Sequence, residues 1–192
     1  MPENNFYVTE LSSPLGRLFD DMKLALFEGS SGKDNNQYQI KLDQSLINED
    51  PFLSFMHPHC QGILGMLMLP PSNMQNWHKD LKSSCNLNYI NCTKDKHTYY
   101  VALSSTDHPY FNNSIPIDKI KGYQPLIVVK HNPQQWVLLN TQNFHAGINA
   151  DNEPKFLLQY CIQLTSGVSY FDVLELVKQY EACGNDKAGL IL

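Results

Sequence analysis

The sequence predicts a mainly β protein with flanking helices, and three observations carry that prediction. From Gln61 onward the chain breaks into short apolar stretches separated by Pro, Asn and Gly turn residues, the pattern of a sandwich or barrel. Segments before and after that region carry apolar residues at helical intervals. With 192 residues, 42% of them hydrophobic and 17% charged, the chain is long enough to bury a core as a single domain spanning 1–192.

Within it we expect a helical N-terminal flank over 1–60, a β core over 61–165 and a closing helix over 170–182. Leu15, Leu18, Phe19, Met22, Leu26 and Phe27 have amphipathic helical spacing, Ser12-Ser13-Pro14 supplies start signals, and Glu28-Gly29-Ser30-Ser31-Gly32 ends the segment. Gln37 to Leu42 reads as a short strand and Gln44 to Phe55 as helical or irregular. Eight strands follow: Ile63 to Leu69, Gln75 to Lys79, Cys85 to Ile90, Thr98 to Leu103, Pro125 to Lys130, Gln135 to Leu139, Phe144 to Ile148 and Phe156 to Leu164. Phe171, Leu174, Val177 and Tyr180 stand in helical register and predict a helix packed on the β core. The architecture this order favours is a double-stranded β-helix, or jelly-roll. Ser104 to Gly122 is a long polar segment inside that pattern, and its length predicts a mobile cover over the barrel mouth, with Tyr110 or Phe111 touching substrate.

Charge and cysteine usage narrow the function. The formal net charge is −5, no basic run occurs, and Arg17 is the sole arginine, so nucleic acid is an unlikely partner. Cys60, Cys85, Cys92, Cys161 and Cys183 form an odd set without a C-x-x-C pair, as expected for free thiols in a reducing, cytoplasmic setting. The first residues have no basic start and no apolar stretch of a secretory signal, and no run approaches the length that crosses a bilayer.

The chemistry gathers on Asn76-Trp77-His78-Lys79-Asp80. An extended segment sends residues i and i+2 to one face, so the His78 imidazole and the Asp80 carboxylate converge. His145, in Asn143-Phe144-His145-Ala146-Gly147, adds a second imidazole from a distant strand. Two histidines and one carboxylate on one face of a metal leave open positions and suit non-heme Fe(II). Lys155, ten positions after His145, precedes the apolar run Phe156-Leu157-Leu158, which predicts an enclosed stem. A buried ammonium requires a partner, and a dicarboxylate cosubstrate would supply one.

These residues resemble the Fe(II)- and 2-oxoglutarate-dependent dioxygenases, whose pattern is H-x-D, a distal histidine and a basic residue about ten positions on. Ser84-Cys85-Asn86-Leu87-Asn88-Tyr89-Ile90 is similar to the Leu-Asn strand that follows H-x-D there. Val137-Leu138-Leu139-Asn140 leads into the distal histidine as in that superfamily, and Lys155-Phe156-Leu157-Leu158-Gln159-Tyr160 has the look of its closing strand. The likeness covers roughly residues 60 to 165, and lysine at 155, where many members carry arginine, resembles the prolyl-hydroxylase branch. It implies Fe(II) on His78, Asp80 and His145, 2-oxoglutarate held by Lys155 with Asn88 and Tyr99, and hydroxylation of a peptidyl side chain or a small metabolite.

Other readings compete. His57-Pro58-His59-Cys60 offers a rival zinc cluster, although Pro58 disrupts a strand and no fourth ligand is spaced nearby. Asp107-His108 suggests a base but lacks a nucleophile motif. A cupin-like binding or structural protein that kept the jelly-roll without turnover, or a zinc- or manganese-dependent isomerase or hydrolase, would use the same scaffold.

Overall fold

The computed structural model describes residues 6–19, 38–74, 78–90, 98–103, 115–116, 127–131, 134–149 and 152–187. Along them run β1 (Phe6–Val8), β2 (Tyr38–Lys41), α1 (Pro51–Cys60), β3 (Ile63–Leu69), β4 (Asn73–Met74) and β5 (Ser83–Ile90). The chain continues through β6 (Thr98–Leu103), β7 (Ile115–Pro116), β8 (Ile127–His131), β9 (Trp136–Leu139), β10 (Phe144–Asn149), β11 (Lys155–Gln163) and α2 (Tyr170–Lys187).

The strand pairing is that of a long hairpin rolled on itself. β6 pairs β8, β5 pairs β9, β4 pairs β10 and β3 pairs β11, all antiparallel, so the chain folds back about the β6–β8 connection. Rolling then joins β11 to β5 and β10 to β6. The result is a six-stranded sheet ordered β1-β9-β5-β11-β3-β2 and a five-stranded sheet ordered β7-β4-β10-β6-β8. That pairing defines a double-stranded β-helix, the cupin-like jelly-roll.

Alternation along the strands assigns the two faces of the larger sheet. Leu64, Met66, Cys85, Leu87, Trp136, Leu138, Leu158, Tyr160 and Ile162 pack outward against Phe52, Leu53 and Met56 of α1 and Tyr170, Val173, Leu174 and Val177 of α2. Their neighbours Leu67, Leu69, Leu139 and Leu157 form a separate inner cluster between the sheets. The central strands of the sheet are therefore buried on both faces, which explains why β3 and β9 read as continuous apolar runs.

The helices begin where capping chemistry allows. Asp50 accepts from the amides of Phe52 and Leu53 at 2.9 and 3.0 Å, and Pro51 at the first position needs no donor. Burial pushes the Asp50 carboxyl above its usual range, against the opposing pull of the Ser13 hydroxyl that donates to it. Ser169 and Asp172 cap α2 reciprocally, the Ser169 amide donating to Asp172 Oδ2 at 2.9 Å and the Asp172 amide to Ser169 Oγ at 3.3 Å. Among the described residues, no helix is long and apolar enough to cross a membrane.

One expectation stands and two need correction. Gln44 to Phe55 is helical as expected, a 3-10 stretch, Gln44–Glu49, followed by α1, and α1 continues through Cys60. His57-Pro58-His59-Cys60 is consequently helical, where residues i and i+2 point to different sides. His57 Nδ1 meets Tyr160 Oη at 2.7 Å while His59 stacks near Phe55, so the rival zinc cluster does not assemble. In α2 the buried face is Tyr170, Val173, Leu174 and Val177, whereas Phe171 is 54% exposed. Pro14–Arg17 forms a 3-10 turn capped by the Ser13 side chain, and most of the helix expected up to Phe27 lies outside the described residues. So does the segment Ser104 to Gly122, apart from Ile115–Pro116.

Candidate metal centre

Backbone pairing builds the site. His78 and His145 face each other in an isolated antiparallel bridge, and each amide donates to the other's carbonyl at 3.0 Å. Directly opposed residues of such a pair send their side chains to the same side. The two imidazoles therefore lie together, with ring centroids 4.3 Å apart.

Asp80 follows two residues on and returns to that side. Its amide donates to the Thr141 carbonyl at 3.0 Å, and Gln142 Nε2 donates to the Asp80 carbonyl at 3.1 Å. Gln142 Nε2 also reaches the Ser83 carbonyl at 2.7 Å, which the Thr141 hydroxyl meets at 3.1 Å. The turn between β9 and β10 thus holds the segment between β4 and β5 by its main chain, and two stretches some 60 residues apart become one rigid edge.

Asp80 Oδ1 lies 3.6 Å from His78 Nε2 and 3.9 Å from His145 Nε2. One donor atom from each of the three residues falls within 4.8 Å of the others. A metal held at about 2.1 Å by three ligands on one face needs donors roughly 3 Å apart, so the side chains would close inward to complete the group. Two imidazoles and one carboxylate suit a divalent transition metal. His145 is fixed in the useful tautomer: its Nδ1 donates to the Asn143 carbonyl at 3.0 Å, which leaves the Nε2 lone pair for a metal. Burial, then the neighbouring His78, pull the His145 pKa down to about 4, outweighing the opposite pull of Asp80. The ring is therefore neutral and ready to coordinate at physiological pH.

The group sits in the wall of a cavity of about 630 Å³ between the sheets. Ile63, Gly65, Leu67 and Leu139 give that wall its apolar part; Asn86, Asn88, Gln159 and Gln163 give it carboxamides. Lys41, Lys79 and Lys82 belong to the same wall and are exposed, so they stand at its mouth. Cys161 lies beside Asp80 as a neutral thiol, because burial and then the Asp80 charge push it up to about 12.

The residues named from the sequence fall into three groups. His78, Asp80 and His145 come together at one point. Asn88 lines the cavity and accepts from Gln159 Nε2 at 3.1 Å. Lys155 is buried at the start of β11, opposite Leu69, on the face that carries Gln159 four residues later. It lies about 13 Å along the strand from Gln159 and is not among the residues of the cavity wall. Tyr99 is in β6, opposite Ile148 and Lys130, and its side chain falls outside the described residues.

Two site residues escaped the sequence. Asn86 donates through Nδ2 to Asp80 Oδ2 at 2.8 Å, and Gln142 supports the Asp80 main chain. The resemblance alone singles out Asn88; strand alternation puts Asn86, two residues earlier and nearer H-x-D, on the same face, whereas nothing local marks Gln142.

Neither a protein-family model nor a curated protein matches the chain. Solved structures do. It is similar to AviO1 from Streptomyces viridochromogenes at 11% identity, with 82% of this chain and 89% of that one covered and a TM-score of 0.44. A cupin-like protein from Thermotoga maritima matches at 11% identity over 73% and 81% of the two chains, with a TM-score of 0.42. A cupin domain from Bordetella pertussis matches at 10% identity over 69% and 98%, with a TM-score of 0.38. The assignment to the class rests on the strand pairing itself: this is a cupin-like double-stranded β-helix whose His78, Asp80 and His145 could hold one metal ion.

Proposed function

We propose that this chain is an Fe(II)- and 2-oxoglutarate-dependent oxygenase that hydroxylates a peptidyl side chain or a small metabolite. The observation that carries the reading is the one-sided ligand group. His78, Asp80 and His145 bring three donors within 4.8 Å of one another, and a metal held by them would keep further coordination positions for a cosubstrate and dioxygen. Bound there, iron would support oxidation of a C–H bond by dioxygen coupled to decarboxylation of 2-oxoglutarate, giving succinate, carbon dioxide and the hydroxylated product.

The chain's own residues then have defined tasks. Two imidazoles and one carboxylate around a divalent metal would leave the group a net positive charge that favours an anionic chelate. Lys155 is assigned the distal carboxylate of 2-oxoglutarate, supported by its burial on the inner face of β11. Asn88 and Tyr99 are assigned flanking contacts to the same molecule. The apolar inner cluster of Leu67, Leu69, Leu139 and Leu157 keeps water from that end of the barrel.

One feature favours a second reading, a metal-dependent isomerase, hydrolase or binding protein on the same scaffold. The cavity wall carries the carboxamides of Asn86, Asn88, Gln159 and Gln163, which suit neutral polar ligands as well as an oxo acid. Calorimetric titration with 2-oxoglutarate of protein loaded anaerobically with Fe(II) separates the two. The oxygenase reading expects binding that requires the metal and disappears in His145→Ala, with succinate formed when dioxygen is admitted. Metal-loaded protein that neither binds 2-oxoglutarate nor yields succinate would favour the second reading.

A further inference from the structure

We propose that Asn86 is the positioning residue of the metal centre, fixing the Asp80 carboxylate so that Oδ1 alone is offered to the cation. The inference rests on the metal-site reading given above. Asn86 lies on β5, six residues after Asp80, 5% exposed and within the cavity wall. Its Nδ2 donates to Asp80 Oδ2 at 2.8 Å. The other oxygen, Oδ1, is the one that faces His78 Nε2 and His145 Nε2. The two oxygens therefore divide between an amide and the metal. A carboxylate free to turn would present either oxygen, or both, and a bidentate grip would occupy a position that a chelating cosubstrate requires. The main-chain bonds to Thr141 and Gln142 place Asp80 but leave its carboxylate free to rotate.

The orientation of Asn86 comes at a cost that the fold alone does not explain. An ionised carboxylate only accepts, so the NH2 end of the amide must face Asp80. Asn86 Oδ1 is consequently buried without a hydrogen-bond partner among the described residues. A buried acceptor in that state destabilises a folded chain, and an apolar side chain of the same shape would avoid the penalty. An amide that worsens the core while serving the carboxylate is explained by the metal centre.

Leucine matches asparagine in shape and removes both the donor and the stranded acceptor. Asn86→Leu is thus expected to leave apoprotein unfolding unchanged or raise its midpoint, since Asp80 is 22% exposed and water takes the vacated place. Its affinity for Mn(II), measured by calorimetry, is expected to fall about 10- to 100-fold. The visible spectrum of the Co(II)-loaded variant should differ from that of the wild type, reporting an altered carboxylate grip. Asn86→Ala should show the same loss of Mn(II) affinity with a less stable apoprotein, so that affinity follows the missing donor and not stability. Mn(II) binding at wild-type strength in either variant would overturn the proposal, as would a leucine variant whose apoprotein loses stability in step with its metal affinity. A wild-type chain that binds neither Mn(II) nor Co(II) would overturn the metal-site reading itself and this inference with it.

Discussion

At the scale of single residues, the centre depends on protonation and on one distant charge. In the unfolded chain His145 takes up a proton near 6.5, whereas burial holds it down to about 4 in the folded chain. Between those values the unfolded state binds a proton that the folded state refuses, so stability is fully present above about 6.5 and is lost as pH falls toward 4. Apoprotein melts across this window should show that decline, and His145→Gln should flatten it; an unchanged profile in the variant would show that another group titrates. Lys155→Ala is a separate test. A charge-assisted hydrogen bond contributes roughly 1.5–3 kcal/mol, so the variant should need about ten- to a hundredfold more 2-oxoglutarate while binding Mn(II) as before. Much of this was legible in the sequence, because i and i+2 on extended chain share a face whatever the tertiary context. Asn86 escaped because its role is fixed by the turn that brings Asp80 back over β5, a long-range consequence of the main-chain bonds to Thr141 and Gln142.

At the scale of elements, the eight core strands were readable because each is apolar, short and bounded by turn residues. The expected Ile63 to Leu69 and Thr98 to Leu103 are β3 and β6 themselves, and most other ends shift by a residue or two. The expected Gln75 to Lys79 is displaced, with β4 at Asn73–Met74, residues 75–77 outside the described residues and His78 in an isolated bridge. Misreadings came where local patterns carry two meanings. A proline inside His57-Pro58-His59-Cys60 argues against a helix, yet it sits near the C-terminal end of α1, where one lost backbone bond is tolerated. In α2, Tyr170 and Val173 win the core face over Phe171 because the Ser169–Asp172 cap sets the phase of the helix. The join between α1 and β3 makes a prediction. Tyr160 Oη accepts from the Gly62 amide at 2.8 Å, and a Cβ on Gly62 would come within 2.4 Å of the Tyr160 ring. Gly62→Ala should therefore displace the ring and destabilise the fold by about 1–3 kcal/mol in urea titrations. A wild-type midpoint would mean that the helix end moves freely against the sheet.

At the scale of the whole molecule, charge is distributed against the average. The chain carries a net −5, yet Lys41, Lys79 and Lys82 stand at the mouth of the cavity, where Asp80 is the acidic residue of the wall. Such an arrangement draws anions toward the site and is screened over about 10 Å at 0.1 M salt. The affinity of the metal-loaded protein for 2-oxoglutarate should fall as ionic strength rises, and the triple change Lys41→Gln, Lys79→Gln and Lys82→Gln should flatten that dependence. Composition alone concealed this feature, since the lysines come from β2 and the H-x-D segment and meet only when β2 pairs with β3.

The most direct test of the central claim is a crystal structure of the chain grown with Mn(II) and 2-oxoglutarate under anaerobic conditions, with the metal located by anomalous scattering. The account predicts one peak about 2.0–2.2 Å from His78 Nε2, Asp80 Oδ1 and His145 Nε2, with 2-oxoglutarate chelating it and its distal carboxylate on Lys155. A metal bound elsewhere, or one on these three residues whose remaining positions exclude the oxo acid, would contradict it.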